Sequence, residues 1–371
     1  MKSPKPLFDT ARRAMPSLTG NTHGVLSVLM TRFTSMGDVA MSIPVVYSVC
    51  RTYPDVRFVM VTRVSVRDMF VGAPDNLQVV GVDLRHDYKG ARGLWRLCGE
   101  LMAEYRFDAY ADLQNRFRTR LMGAFLRLRG VIVAHLARGS NSKHALTRRR
   151  NKMMLPLISQ RARYREVFAR LGLPVSEHFE GLYPAPRTAD STLFGRIHAP
   201  RAEGEKWIGI APFATRRGKT YPTDQMERVL ELILDSYPEA TVFIFGGDGD
   251  EARIADTWAE KHPRTVSLAG KRYGFAAELA LQNHLDLMLA MDSANLHLAS
   301  LVGVPTLSIW GATHPYCGFR AWRQREADTV QLPLSCRPCS VSGDRKCYRG
   351  DYLCLTAIRP DMIFNRLKTL L

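Results

Sequence analysis

No apolar run in this 371-residue chain approaches the ~20 residues needed to span a bilayer, so a transmembrane helix is not expected. The first 24 residues, MKSPKPLFDTARRAMPSLTGNTHG, carry basic side chains but no apolar core of about 7–15 residues. That excludes a secretory signal and predicts retention in the cytoplasm. Cysteine is sparse, seven in all, which excludes a small disulfide scaffold. There is no repeat of about 20–50 residues and no GxGxxG fingerprint for a dinucleotide. The most informative absence is of acid. From residue 113 to residue 165 there is no Asp or Glu, while Lys and Arg number fourteen. Much of the +17 net charge is therefore gathered in one block, which predicts an anionic partner. The plainer reading is a solvated helical face, but a field of one sign repels itself and is costly to keep unused.

What is present reads as α/β. Apolar residues make up 46% and charged residues 23%, an ordinary globular composition, and the length predicts two domains. Short, nearly continuous apolar runs predict strands at 25–30, 58–62, 77–82, 109–113 and 131–136, then at 207–211, 241–245, 265–268, 285–291 and 306–310. Amphipathic stretches predict helices at 39–53, 94–105, 223–236, 251–261, 295–301 and 361–371, the last capped by Asp361. The Pro- and charge-rich stretch 184–206 reads as a linker. The expected organisation is a mobile arm (1–24), a first domain (25–190) and a second domain (191–371). In doubly wound sheets, ligands bind beyond the carboxyl ends of the strands, so the loops there carry the argument.

After the first strand comes Ser35-Met36-Gly37-Asp38, with Gly37 expected to permit a tight turn. Asp38 is placed either to cap the following helix or to accept a proton from a substrate hydroxyl. After the sixth strand, Thr215-Arg216-Arg217-Gly218-Lys219 offers cations that can neutralise phosphate. Gly246-Gly247-Asp248-Gly249 opens a helix, and Asp248 can reach ribose hydroxyls or serve as a cap. The strongest signal is Asp292-Ser293-Ala294-Asn295-Leu296-His297, where an apolar strand stops at a carboxylate and a helix begins. Amides at a helix amino-terminus favour an anion, and His297 lies one turn in on the face of Ser293.

Together with Trp310-Gly311-Ala312-Thr313-His314-Pro315, these motifs resemble glycosyltransferase family 9, the heptosyltransferases of lipopolysaccharide core assembly. The resemblance runs over about residues 25–371, with the motifs in the same order. It implies a GT-B architecture, two Rossmann-like doubly wound domains facing a central cleft, and metal-independent inverting transfer from ADP-heptose. It makes Asp38 the catalytic base and Lys219 the donor-phosphate lysine, with Thr215 and Arg216 in the same loop. Asp248 falls near the donor ribose, and Asp292, Ser293, Asn295 and His297 form the donor motif. Ala294 departs from the glycine usual there and adds a methyl near the pyrophosphate. The implied acceptor is an anionic lipid-linked saccharide at the inner, cytoplasmic membrane surface. Arg116, Arg118, Arg120, Arg148, Arg149 and Arg150 of the basic block are the expected acceptor-binding cations, in the first domain.

Two alternatives follow from the same residues. A GT-B nucleotide-sugar epimerase shares the architecture, but the Ser-Met-Gly-Asp loop argues against it. Nucleic-acid binding would suit the charge, yet only Phe117, Phe125 and Tyr164 are available for stacking and no helix-turn-helix or zinc-finger spacing occurs. No nucleic-acid partner is expected. The catalytic chemistry calls for no cofactor. Cys336, Cys339, Cys347 and Cys354 form a CxxC pair followed by two more thiols, a pattern open to a structural zinc or to four free thiols. Catalysis is expected to be independent of that loop, which lies far from the donor motif in sequence.

Overall fold

The computed structural model describes residues 27–371; the arm expected over residues 1–24 lies outside them. The chain forms two compact units. The first comprises residues up to Arg138 together with Arg161–Phe179, and the second comprises Gly139–Gln160 with Glu180–Leu371.

The first unit holds β1 (Ser27–Thr31), β2 (Arg57–Arg63), β3 (Leu77–Val82), β4 (Ala109–Asp112) and β5 (Ile132–His135). They are all parallel, in the order β3-β2-β1-β4-β5. The helices up to the return of the chain are α1 (Met36–Thr52), α2 (Val64–Arg67), α3 (Gly90–Tyr105), α4 (Phe117–Arg127), α5 (Ser140–Thr147) and α6 (Gln160–Arg170), of which α5 belongs to the second unit. β1 is buried throughout, and α1 is buried without a break from Val39 to Cys50. The amphipathic α3 buries Leu94, Leu97, Cys98, Leu101 and Tyr105, at helical spacing. The sheet order reverses between β1 and β4. That is the switch point where an open α/β sheet leaves a crevice at its carboxyl edge.

The second unit holds β6 (Lys206–Ala211), β7 (Ala240–Ile244), β8 (Thr265–Ser267), β9 (Leu287–Met291), β10 (Thr306–Ile309) and β11 (Thr329–Val330). These are parallel in the order β11-β10-β9-β6-β7-β8. Its remaining helices are α7 (Thr223–Ser236), α8 (Asp250–Lys261), α9 (Phe275–Asn283), α10 (Ala294–Leu301), α11 (Leu353–Thr356) and α12 (Pro360–Lys368). Here the switch point falls between β6 and β9, the two strands whose loops carry the cations and the Asp-Ser motif.

Three expectations are corrected. The division between the units falls near residue 180 rather than 190, and the chain crosses earlier as well. Leu157 N donates to Tyr316 O (2.8 Å), Gln160 N to Gly318 O (2.9 Å), and Lys152 Nζ to the carbonyls of Cys336 (2.7 Å) and Pro338 (2.9 Å). These bonds tie 139–160 into the second unit, so Arg148, Arg149 and Arg150 do not belong to the first. Gly37 lies within the first turn of α1 and is not among the glycines at positive φ, so it makes no special turn. Arg359, not Asp361, occupies the cap position of α12; Pro360 opens the helix and Asp361 pairs with Arg359 at 3.0 Å.

Candidate active site

In the first unit, β1 runs into a loop that fixes Asp38 from several directions. Arg32 Nη2 lies 2.5 Å from Asp38 Oδ2. Ser35 donates to the same oxygen from its amide (3.1 Å) and its hydroxyl (2.9 Å). Asp38 is thus the third residue of a capping box around Ser35, not the cap itself. Burial alone would push its carboxyl up, but the Arg32 charge and the Ser35 bonds outweigh this and hold it below the usual carboxylate range. Asp38 is therefore ionised at neutral pH, as a proton acceptor must be. Arg32 is itself buried. Its Nη1 donates to Leu113 O at 2.6 Å, and its guanidinium lies 5.7 Å from the centre of the Tyr164 ring.

The loop after β4 clamps the other side. Gln114 Oε1 accepts from the amides of Phe33 (2.7 Å) and Thr34 (3.2 Å). Asp112, fully buried, accepts from the amides of Gln114 and Asn115 and pairs with His135 Nδ1 at 2.8 Å. Arg116, Arg118 and Arg120 follow at the amino-terminal end of α4, all exposed. Arg32, Asp112, Gln114 and His135 were not anticipated. An arginine between strand and Ser-Met-Gly-Asp was the one signal available.

In the second unit, Lys219 Nζ lies 2.8 Å from Asp292 Oδ2, and the Thr313 hydroxyl donates to the same oxygen at 2.7 Å. Asp292 is only 4% exposed, so it holds the lysine at the end of β9 with little competition from water. An ammonium has three donors, and two remain for a ligand. Ser293 stands at the cap position of α10 yet makes no cap bond, and its buried Oγ has no partner among the described residues. The first amides of α10 are left for an anion. Ala294 and Asn295 are half-buried and His297 is buried. Thr215 and Arg216 are exposed in the β6 loop. Asp248 stands on the surface paired with Arg272 at 2.8 Å, while Gly249 takes the cap position of α8.

The cysteine loop proves to be part of this site. Gly343, at φ +72°, packs so tightly that an added Cβ would come 2.7 Å from Lys219 Cγ. Arg217 lies 4.8 Å from the centre of the Tyr352 ring. The loop thus covers the stem of Lys219, close in space to a residue from which the cysteines are far in sequence. Arg337, buried, secures the neighbouring turn by donating to the carbonyls of Gly311 (2.5 Å), Trp310 (3.1 Å) and Thr313 (2.9 Å). The four thiols lie along this loop, and none of them is in a disulfide. Cys339 Sγ donates to Cys336 O, Cys347 Sγ faces Asp351, and Cys354 is buried. Among the described residues, the one trio with ligand atoms within 4.8 Å of one another is Glu227, Glu231 and His262. Lys261 already bridges its two carboxylates.

Behind the Trp310–Pro315 turn is a cavity of about 700 Å³ lined by Lys152, His314, Tyr316, Glu326, Gln331 and Arg337, among others. Burial and the nearby charges of Arg337 and Lys152 push His314 down to about 4, so its ring is neutral. Its Nδ1 accepts from Tyr316 N at 3.0 Å, which leaves the proton on Nε2.

Two Rossmann-like sheets, one with a carboxylate loop and one with a lysine-bearing loop at their switch points, give the GT-B architecture. Residues 95–348 match glycosyltransferase family 9 (heptosyltransferase), and the chain belongs to that family. It is 24% identical to lipopolysaccharide heptosyltransferase 1 of Pseudomonas aeruginosa, over 93% of this chain and 98% of that one. The ADP-heptose lps heptosyltransferase II structure from E. coli superposes with a TM-score of 0.67 at 16% identity, covering 93% of this chain and 98% of that one. The E. coli heptosyltransferase WaaC with ADP gives 0.62 at 17% identity, covering 93% and 100%. The transferase reading thereby displaces the epimerase and nucleic-acid readings. Among the described residues, no helix is long and apolar enough to cross a membrane.

Proposed function

We propose that the protein transfers a heptose from ADP-heptose, with inversion and without a metal, to an anionic saccharide of the lipopolysaccharide core. The acceptor is lipid-linked and is met at the cytoplasmic face of the inner membrane. The observation that carries this reading is the Lys219–Asp292–Thr313 cluster beside the uncapped amino-terminus of α10. That cluster offers a fixed ammonium and free helix amides to a pyrophosphate.

The chemistry follows from the residues. The acceptor hydroxyl attacks the anomeric carbon on the face opposite ADP; the carbon–oxygen bond to the pyrophosphate breaks as the new glycosidic bond forms. Asp38 takes the hydroxyl proton. Lys219 and the α10 amides meet the charge that grows on the leaving phosphate, where a preorganised donor is commonly worth ~10²–10³ in rate. Arg216 and Arg217 can share the neutralising role a magnesium ion would otherwise fill. Arg116, Arg118 and Arg120 hold the acid groups of the acceptor, and Asp248 exchanges Arg272 for ribose hydroxyls.

The test is to incubate purified protein with ADP-heptose and a deacylated core saccharide, with excess EDTA, and to follow product by mass spectrometry. A product heavier by one heptose, formed equally with EDTA, is expected. If EDTA stops turnover and magnesium restores it, the metal-free chemistry is wrong and Asp292 becomes a candidate metal ligand. If no heptosyl product forms under either condition, the substrate assignment falls.

A further inference from the structure

The segment Gly139–Gln160, which crosses into the second unit, carries Lys143, Arg148, Arg149, Arg150 and Lys152 and no acidic residue. Directly after these cations the chain turns an apolar run outward. Met153, Met154, Leu155 and Ile158 are 49%, 43%, 61% and 69% exposed, and Pro156 between them is exposed too. Consecutive apolar side chains on a surface invite association unless they have a use.

This run is not a loose loop. Met153 N donates to Ala145 O at 3.0 Å, and the Leu157 and Gln160 amides and the Lys152 ammonium are bonded into the second unit as described above. The backbone is held while the side chains point away. Beside the run, Arg149 lies 4.2 Å from the centre of the Tyr348 ring, itself 49% exposed, and Arg345 and Lys346 are exposed close by in sequence. Cations, outward apolar tips and an amphipathic aromatic ring on one surface are the composition of an element that lies in a membrane interface. A protein partner would meet the same apolar tips, but the surplus of cations around them matches a sheet of anionic headgroups.

We propose that residues 148–158 dock the protein on an anionic lipid bilayer. Arg149 and Arg150 meet the headgroups, and Met153, Leu155 and Ile158 enter the boundary with the acyl chains. This rests on the membrane-facing reading above and names the segment that makes the contact.

The experiment compares the full chain with a Leu155→Ser/Ile158→Ser variant in co-sedimentation with vesicles of phosphatidylcholine, with and without phosphatidylglycerol. Both positions are exposed, so an unchanged melting temperature is expected. The wild type should bind the mixed vesicles, less so in high salt, and bind pure phosphatidylcholine weakly. The variant should lose about tenfold or more in partitioning while keeping transfer to the deacylated acceptor. Equal binding by both proteins overturns the assignment of this segment, and no binding by the wild type overturns docking altogether. Self-association of the wild type without lipid, lost in the variant, assigns the run to a second copy and also overturns the proposal. Failure of the wild type to transfer heptose to the deacylated acceptor would instead strike the functional reading, whatever the vesicles show.

Discussion

At the scale of single residues, the site is built from ion pairs that leave one partner poised. Asp38→Asn keeps an oxygen for the Ser35 bonds but removes the charge. It should lower turnover by ~10²–10⁴ while ADP binding, measured by calorimetry, stays near wild type. Turnover above about a tenth of wild type would remove Asp38 as the base. Arg32→Gln tests the pair from the other side. Without the guanidinium, Asp38 rises toward or above its ordinary range, because burial is then opposed only by Ser35. The base is lost as pH falls through its pKa, so the acid limb of the rate profile should move to higher pH in this variant. An unmoved limb would mean that Arg32 does not tune the base. In the second unit, Lys219→Ala should weaken ADP binding by ~1.5–3 kcal/mol, the range for hydrogen bonds to charged groups. Adenosine, which lacks the phosphates, should bind nearly as before. The same substitution leaves Asp292 buried with Thr313 as its remaining named partner, so some loss of melting temperature should accompany it.

At the scale of elements, most strands were plain in the sequence because they are nearly continuous apolar runs; β1, β7, β9 and β10 are buried throughout, whereas β5 at its sheet edge is partly exposed. α4 was not plain. Its buried positions Thr119, Met122, Gly123 and Leu126 have helical spacing, but a threonine and a glycine among arginines give little apolar contrast. β11, of two residues, is too short to carry a period. Asp38, Lys219 and the Asp-Ser motif were legible because each adjoins a strand end. Their partners were not, since Arg32 meets Leu113 across 81 residues and Gly343 reaches Lys219 from a loop defined only by its cysteines. Gly343→Val puts a branched side chain, at positive φ, against the lysine stem. It should weaken ADP binding while leaving Asp38, in the other unit, unchanged; normal ADP affinity would show that the loop only passes by. Two half-buried groups also set opposite pH slopes. His314, lowered from 6.5 to about 4, binds fewer protons folded than unfolded, so its contribution is lost as pH falls through that window. Glu278 in the first turn of α9, raised by burial from 4.5 to about 7, does the reverse and stabilises on acidification. Each is worth at most ~3.5 kcal/mol across its window, and the amino-terminal dipole of α9 trims the glutamate's share. Glu278→Gln should therefore make the melting temperature fall faster than wild type between pH 7 and 4.5, as read by calorimetry at stepped pH. A parallel curve would show Glu278 solvated and ordinary.

At the scale of the whole molecule, the basic block is divided between the two units. Arg116, Arg118 and Arg120 stand on α4 in the first unit, whereas Arg148, Arg149 and Arg150 belong to the second. Their charge reversals should therefore differ in kind. Changing Arg116, Arg118 and Arg120 to Glu alters exposed side chains in the unit that carries Asp38. The acceptor KM should rise and depend less on salt, because the long-range attraction that salt screens has been removed. ADP affinity should not move. Changing Arg148, Arg149 and Arg150 breaks the contact of Arg149 with Tyr348, which belongs to the same loop that lays Gly343 over Lys219. ADP affinity should then fall by a small factor, about two- to fivefold, with little change in the KM for a deacylated acceptor. Steady-state kinetics with both substrates varied, on both triple variants, separates the two patterns. Loss of acceptor binding in the second variant with ADP untouched would return Arg148–Arg150 to the acceptor. Equal loss of both substrates in the first variant would mean that α4 supports the fold of its unit rather than an acceptor surface.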